Sequence, residues 1–167
     1  KGNNRLSKDS KYIFDKSCND IREHFGISDN YSMILGKNTT ELINIFALSL
    51  EDRIKPLDII MVGPYEHHSN YRLCKYNVKK NYAIFFKMQL LQNPSKHYKY
   101  IKKIADKIKI IAYSSVANTN AYSINEKELL SVINKETYVF VDESQKVAHS
   151  KIICDDKIDE FVEGILD

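Results

Sequence analysis

Three short polar clusters carry most of the side chains that could do chemistry, and each closes an apolar run. Glu66-His67-His68-Ser69-Asn70 follows Asp58-Ile59-Ile60-Met61-Val62-Gly63, Ser115-Val116-Ala117-Asn118 follows Ile108 to Tyr113, and Asp142-Glu143-Ser144-Gln145 follows Thr137 to Val141. An imidazole combines a flat face with a pKa near neutrality, so His67 is suited to stacking on a planar ring and to moving a proton. Asp142 supplies a carboxylate, and Asn118 and Gln145 supply side-chain amides, at the ends of the other two runs. Upstream, Thr39 and Thr40 stand at the start of an amphipathic pattern, where unpaired N–H groups and the helix dipole favour an anion. Each piece has a plainer reading beside it. Thr is a good helix cap, an aspartate after a strand often caps a turn, and His68 could cap or bridge the helix that follows.

To bring these groups together, the apolar runs must be strands whose carboxyl ends share one edge, where open α/β sheets place their ligand crevices. The intervening patterns read as helices. Ser7 is expected to cap a helix to Phe25, with Phe14, Cys18, Ile21 and Phe25 as a core-facing stripe and Gly26 as its left-handed stop. A second helix is expected from Thr39 to Ile54, with Leu42, Ile45, Phe46, Ser49 and Leu50 on one face, and a third from His68 to about Asn77. Tyr82 to Met88 reads as an aromatic-rich strand, and Asn93-Pro94-Ser95 opens a helix whose stripe is Ile101, Ile104, Ala105 and Ile108. Asn125 with Glu128 forms a capping box for a helix to about Glu136. Strands alternating with helices imply an α/β fold, a mostly parallel sheet with helices on both faces.

Taken in order, with Lys37-Asn38-Thr39-Thr40-Glu41-Leu42-Ile43-Asn44 upstream, the clusters resemble the class V aminotransferase family of pyridoxal-phosphate enzymes, in its cysteine-desulfurase-like branch. Lys1-Gly2 to Leu6-Ser7 is similar to the family's loop before its first large-domain helix, and Tyr31 to Gly36 to the strand before its phosphate loop. The resemblance implies that Thr39 and Thr40 hold the phosphate of pyridoxal 5'-phosphate. It likewise implies that His67 stacks on the pyridine ring and assists proton transfer, as the catalytic residue. Asp142 would pair with the pyridine nitrogen, and Gln145 and Asn118 would contact the phenolic oxygen. Two departures stand out. Asn38 occupies a position that is usually glycine, and Asn is expected to keep the loop's shape because it tolerates positive φ. Glu143-Ser144 replaces the usual Gly-Ala, which is expected to crowd the loop.

The family's lysine, in Ser-Gly-His-Lys after the next strand, is not met up to Asp167, and Lys157 to Val162 matches that strand loosely: the chain is a fragment cut before the lysine, or an insertion has moved the lysine downstream, or it has been lost. Residues 1–167 are therefore expected to be part of one pyridoxal-phosphate-binding large domain of fold type I, without the small carboxyl-terminal domain, and inactive alone. The complete protein is expected to be a homodimer that takes sulfur from L-cysteine or acts on another amino acid, passing the sulfur to an acceptor protein. The alternative is a cofactor-free scaffold derived from the same family.

Composition bounds the rest. The 167 residues are 43% hydrophobic, enough for a core, and 25 basic against 22 acidic residues leave a net charge of +3 with no global pull toward nucleic acid or membrane. Lys96 to Lys103 interleaves basic and aromatic residues, but its isoleucines share one stripe, so a solvated helix face is expected rather than a nucleic-acid surface. No apolar stretch approaches the roughly 20 residues that span a bilayer. Cys18, Cys74 and Cys154 are odd in number and lack a C-x-x-C pair, which implies a reducing intracellular compartment, with Cys18 as a small buried hydrophobe. His149 reads as an exposed loop residue or a group on the substrate side.

Overall fold

The computed structural model describes residues 5–88 and 94–147. Among the described residues, its contacts mark off a segment up to Met33 and a larger body that runs from Ile34 to Val147.

In the first segment, helix α1 (Arg5–Phe25) ends as the sequence predicts: Gly26 takes φ +64, and the Ile27 N–H donates to the Arg22 carbonyl at 2.9 Å. The Arg22 guanidinium then reaches forward to the carbonyls of Ser28 and Tyr31, at 3.1 and 2.8 Å, and pins the turn. Two expectations fail here. Ser7 does not cap α1, because the helix already runs at Arg5, with an exposed Arg5–Asp9 pair spanning its first turn. The Phe14-Cys18-Ile21-Phe25 stripe does not face a core either, since no residue of α1 is buried; Phe14 is exposed and Cys18 only half-buried.

The larger body begins with irregular chain. Tyr31 to Gly36 forms no strand: it joins no ladder, and Ile34 and Leu35 are exposed. Helix α2 (Thr39–Ser49) continues into a 3-10 turn over Glu51–Arg53. Its buried face is Thr39, Ile43, Phe46 and Ala47, continued by Leu50, whereas Ile45, expected inside, is exposed. The helix is apolar on most sides, so spacing alone left two possible stripes.

Four strands follow: β1 (Ile59–Val62), β2 (Ile84–Lys87), β3 (Ile108–Ser114) and β4 (Tyr138–Asp142). They form one parallel sheet in the order β2-β1-β3-β4, as the alternation of elements predicts. The connections are α3 (His68–Asn81), α4 (Pro94–Ile104) with a 3-10 turn to Lys107, and α5 (Glu126–Val132). Asn125 caps α5 as predicted, accepting from the Glu128 N–H at 3.2 Å, but the return bond of a capping box is replaced by its side-chain amide donating to the Glu128 carboxylate at 3.2 Å, and α5 stops at Val132.

Alternate residues of the strands supply two cores. Ile60, Val62, Ile110, Ala112 and Phe140 pack with Ile43, Phe46, Ala47 and Cys74 from α2 and α3. Met61, Ile111, Tyr113, Val139 and Val141 pack with Tyr98, Ile101 and Leu129 from α4 and α5. Burial on both faces explains why these strands read as unbroken apolar runs. It also confirms the outer face of α4, whose Lys99, Lys102 and Lys103 are exposed while Ile101 is fully buried.

A candidate cofactor cleft at the carboxyl ends of the strands

The chain leaves β1 toward β2 on one side and leaves β3 toward β4 on the other. The sheet therefore has a topological switch between β1 and β3, and a crevice opens there. A cleft of about 310 Å³ occupies this end, lined by Asn38, Thr39 and Thr40, by His67 and Ser69, by Ser114, Val116 and Asn118, and by Asp142, Ser144 and Gln145. The six residues singled out from sequence (Thr39, Thr40, His67, Asn118, Asp142 and Gln145) all line it. The contributing segments are one helix start and the ends of three strands.

Each segment is held by its own local chemistry. Asn38 caps α2: its Oδ1 accepts from the Glu41 N–H at 2.9 Å, while the Glu41 carboxylate accepts from the Lys37 N–H at 2.6 Å. The cap is thus not a threonine, and Asn38 has φ −168, extended backbone rather than the left-handed turn expected where glycine is usual. A helix start leaves N–H groups without intrahelical partners and carries the positive end of the dipole, which suits an anion.

His67, not His68, caps α3. Its Nδ1 accepts from the Ser69 N–H at 3.4 Å and lies 3.0 Å from the Ser69 hydroxyl, while His68 is the first helical residue. The reason is positional, because an N-cap side chain must stand one residue before the helix to reach back to its second N–H.

Asp142 ends β4, buried, and its Oδ1 accepts from both the N–H and the hydroxyl of Ser144, at 3.1 and 2.6 Å. Of the Glu143-Ser144 pair expected to crowd the loop, Ser144 lines the cleft and Glu143 does not. It is buried away from it, accepting from the Ser115 hydroxyl at 2.6 Å and pairing with Lys146 at 3.3 Å, which also pairs with Glu126 at 3.3 Å. Burial pushes the Glu143 carboxyl above its ordinary value, opposed by Ser115 and Lys146.

Glu66 has a task that its place in the sequence does not reveal. Its carboxylate ties β1 to β3, accepting from the Ser114 N–H at 2.8 Å, the Ser114 hydroxyl at 2.9 Å and the Asn70 amide at 2.5 Å. Burial raises its pKa, the three donors lower it, and nearby Asp142 adds to the rise. Gly63 was the available signal: a Cβ there would run into the Glu66 carboxylate, so the glycine that ends the strand also makes room for this brace. His149, Cys154 and the Lys157–Val162 segment lie outside the described residues. Among the described residues no His, Cys, Asp and Glu cluster could hold a metal ion, and no helix is long and apolar enough to cross a membrane.

Known proteins share this arrangement of elements. A Haemophilus influenzae protein named probable cysteine desulfurase is 25% identical over 152 residues, 89% of this chain and 35% of that protein. The apo structure of a cysteine desulfurase from Thermococcus onnurineus NA1 superposes with a TM-score of 0.80 at 23% identity, covering 95% of this chain and 40% of that one. A mutant of the lyase C-DES, with glycine covalently linked to its PLP cofactor, superposes with a TM-score of 0.66 at 14% identity, covering 84% of this chain and 37% of that one. The chain thus spans about a third of the length of the curated relative, and its fold matches 40% of the chain of the superposed cysteine desulfurase structure. The description of aminotransferase class-V matches residues 1–159, nearly the whole chain, and the chain belongs to that family.

Proposed function

We propose that the cleft is a pyridoxal 5'-phosphate site and that residues 1–167 are part of one cofactor-binding large domain. The observation that carries this reading is the donor set gathered at the switch point. Threonines at a helix start suit a phosphate, a carboxylate at a strand end suits a protonated ring nitrogen, an imidazole suits a planar face, and two exposed amides suit a ring oxygen. A ligand anionic at one end with a basic aromatic nitrogen at the other fits this set.

In this reading Thr39, Thr40 and the α2 start hold the phosphate, Asp142 keeps the pyridine nitrogen protonated, and Asn118 and Gln145 orient the ring through its phenolic oxygen. His67 packs on the ring and moves a proton to or from the substrate. The bound cofactor supplies a sink for negative charge developing on an amino-acid substrate. A protein that carries this chain with the remaining two thirds of its relatives' length would take sulfur from L-cysteine, as the relatives' names say of them. We further propose that this protein works as a homodimer and passes sulfur to an acceptor protein, with sedimentation as the check on the dimer.

The test is binding of pyridoxamine phosphate, which needs no lysine, to the 167-residue chain. Saturable binding, competition by inorganic phosphate and loss of the protonated-pyridine absorbance in Asp142→Ala are expected. No binding at millimolar ligand, or binding indifferent to Asp142 and Thr40, would overturn the cofactor reading.

A further inference from the structure

Ser69 stands between two cleft residues that come from different elements. It is the second residue of α3, 5% exposed, and its hydroxyl lies 3.0 Å from the Thr40 hydroxyl and 3.0 Å from Nδ1 of His67. The direction of this chain of hydrogen bonds is set at the imidazole end. The backbone N–H of Ser69 also approaches Nδ1, at 3.4 Å, and an amide N–H can only donate. Nδ1 therefore carries a lone pair, and the Ser69 hydroxyl, facing the same nitrogen at shorter range, donates to it as well. With its one proton so placed, the Ser69 oxygen accepts from Thr40. In a neutral ring the remaining proton sits on Nε2.

We propose that Ser69 is a positioning residue that links Thr40 to His67 and holds the imidazole as its Nε2–H tautomer. The ring then offers the cleft an N–H donor on Nε2, while its acceptor nitrogen is occupied from behind by α3. The order Thr40 to Ser69 to His67 joins the helix start assigned to the phosphate with the ring assigned to proton transfer. What the fixed tautomer is for rests on that functional reading, whereas the tautomer itself rests only on these three side chains and one amide. The amide N–H, able only to donate, sets the direction, and the hydroxyl adds the shorter contact to the same nitrogen, so its removal weakens the hold on the ring.

The experiment is nitrogen NMR of the cofactor-free chain carrying ¹⁵N-histidine, at a pH where the ring is neutral. Wild type is expected to show one His67 species, with Nδ1 unprotonated and Nε2 bearing the proton. In Ser69→Ala the two nitrogen resonances should move toward each other as the Nδ1–H form becomes populated, and Ser69→Thr should restore the wild-type positions. Thr40→Val probes the same chain from its far end, should shift the resonances in the same sense by less, and serves if Ser69→Ala does not fold. A wild-type His67 already divided between tautomers, or variants whose resonances stay at the wild-type positions, would overturn the proposal. A single Nε2–H tautomer in a chain that does not bind pyridoxamine phosphate would remove the functional reading and leave the Ser69 link standing. Binding with mixed tautomers would do the reverse.

Discussion

At the scale of single residues, the cleft is shaped by carboxyl groups with different duties. Glu66 braces β1 to β3 and Asp142 lines the cleft, and the two predict different experiments. Because the folded-state pKa of Glu66 lies above the ordinary carboxylate value of 4.5, the native state holds its proton more tightly than the unfolded chain does. The contribution is fully present below the ordinary value and is lost as pH rises through the folded-state value. Glu66→Gln should therefore gain stability relative to wild type as pH climbs above about 4.5. Urea midpoints taken at intervals up to pH 7 check this, and a difference that stays constant with pH would contradict it. Glu143 is shifted the same way, so some slope should survive in the variant. Asp142→Ala, introduced into a protein with the relatives' full length, should lower L-cysteine turnover far more than cofactor occupancy. The scale for one preorganised charge contact is roughly 2 to 4 kcal/mol, about 30- to 1000-fold in rate. Turnover normalised to bound cofactor is the measurement, and equal turnover would reduce Asp142 to the turn cap it forms with Ser144.

At the scale of elements, helix ends and buried strands were the legible features. Gly26, the Asn125 cap and the three apolar runs each gave a correct boundary or strand, because capping and two-sided burial leave marks on neighbouring residues. Tyr31 to Gly36 is similar to a strand of the family, but a strand needs a partner and the segment has none among the described residues. The stripe of α2 was ambiguous because Ile43 and Ile45 are both apolar, and the packing of Ile43 and Ala47 beside Phe46 with Ile60, Val62 and Phe140 of the sheet selects the face. The duties of Glu66 and Ser69 could not be read at all, since each depends on a side chain brought from another element. One element also carries removable strain: Tyr82 closes α3 with φ 54 while 80% exposed, so its ring contributes little packing to offset a left-handed backbone. Tyr82→Gly should stabilise the protein by about 1 kcal/mol, read as a higher urea midpoint with unchanged slope. A lower midpoint would show that the tyrosine makes up for its backbone elsewhere.

At the scale of the whole sheet, two cores share one set of strands, so damage on one face should be felt on the other. Ile110 is fully buried in the centre of β3, paired to Ile60 on one side and Tyr138 on the other. Ile110→Ala should cost about 2 to 5 kcal/mol, much of a small domain's stability, and denaturant unfolding would show it. The strand order has a kinetic consequence as well. β1 and β3 are neighbours, yet α3, β2 and α4 lie between them in the chain, and no pair of adjacent strands is joined by a hairpin. Every rung of this ladder therefore closes a long loop before it returns any stabilisation, which places folding among the slow, non-local cases. The cleft opens where β1 and β3 meet and takes residues from β4, so it does not exist until these three strands have come together. A ligand in it cannot seed folding. Its effect falls on the return path, where it must leave before the sheet comes apart, and so it lengthens the lifetime of the finished fold.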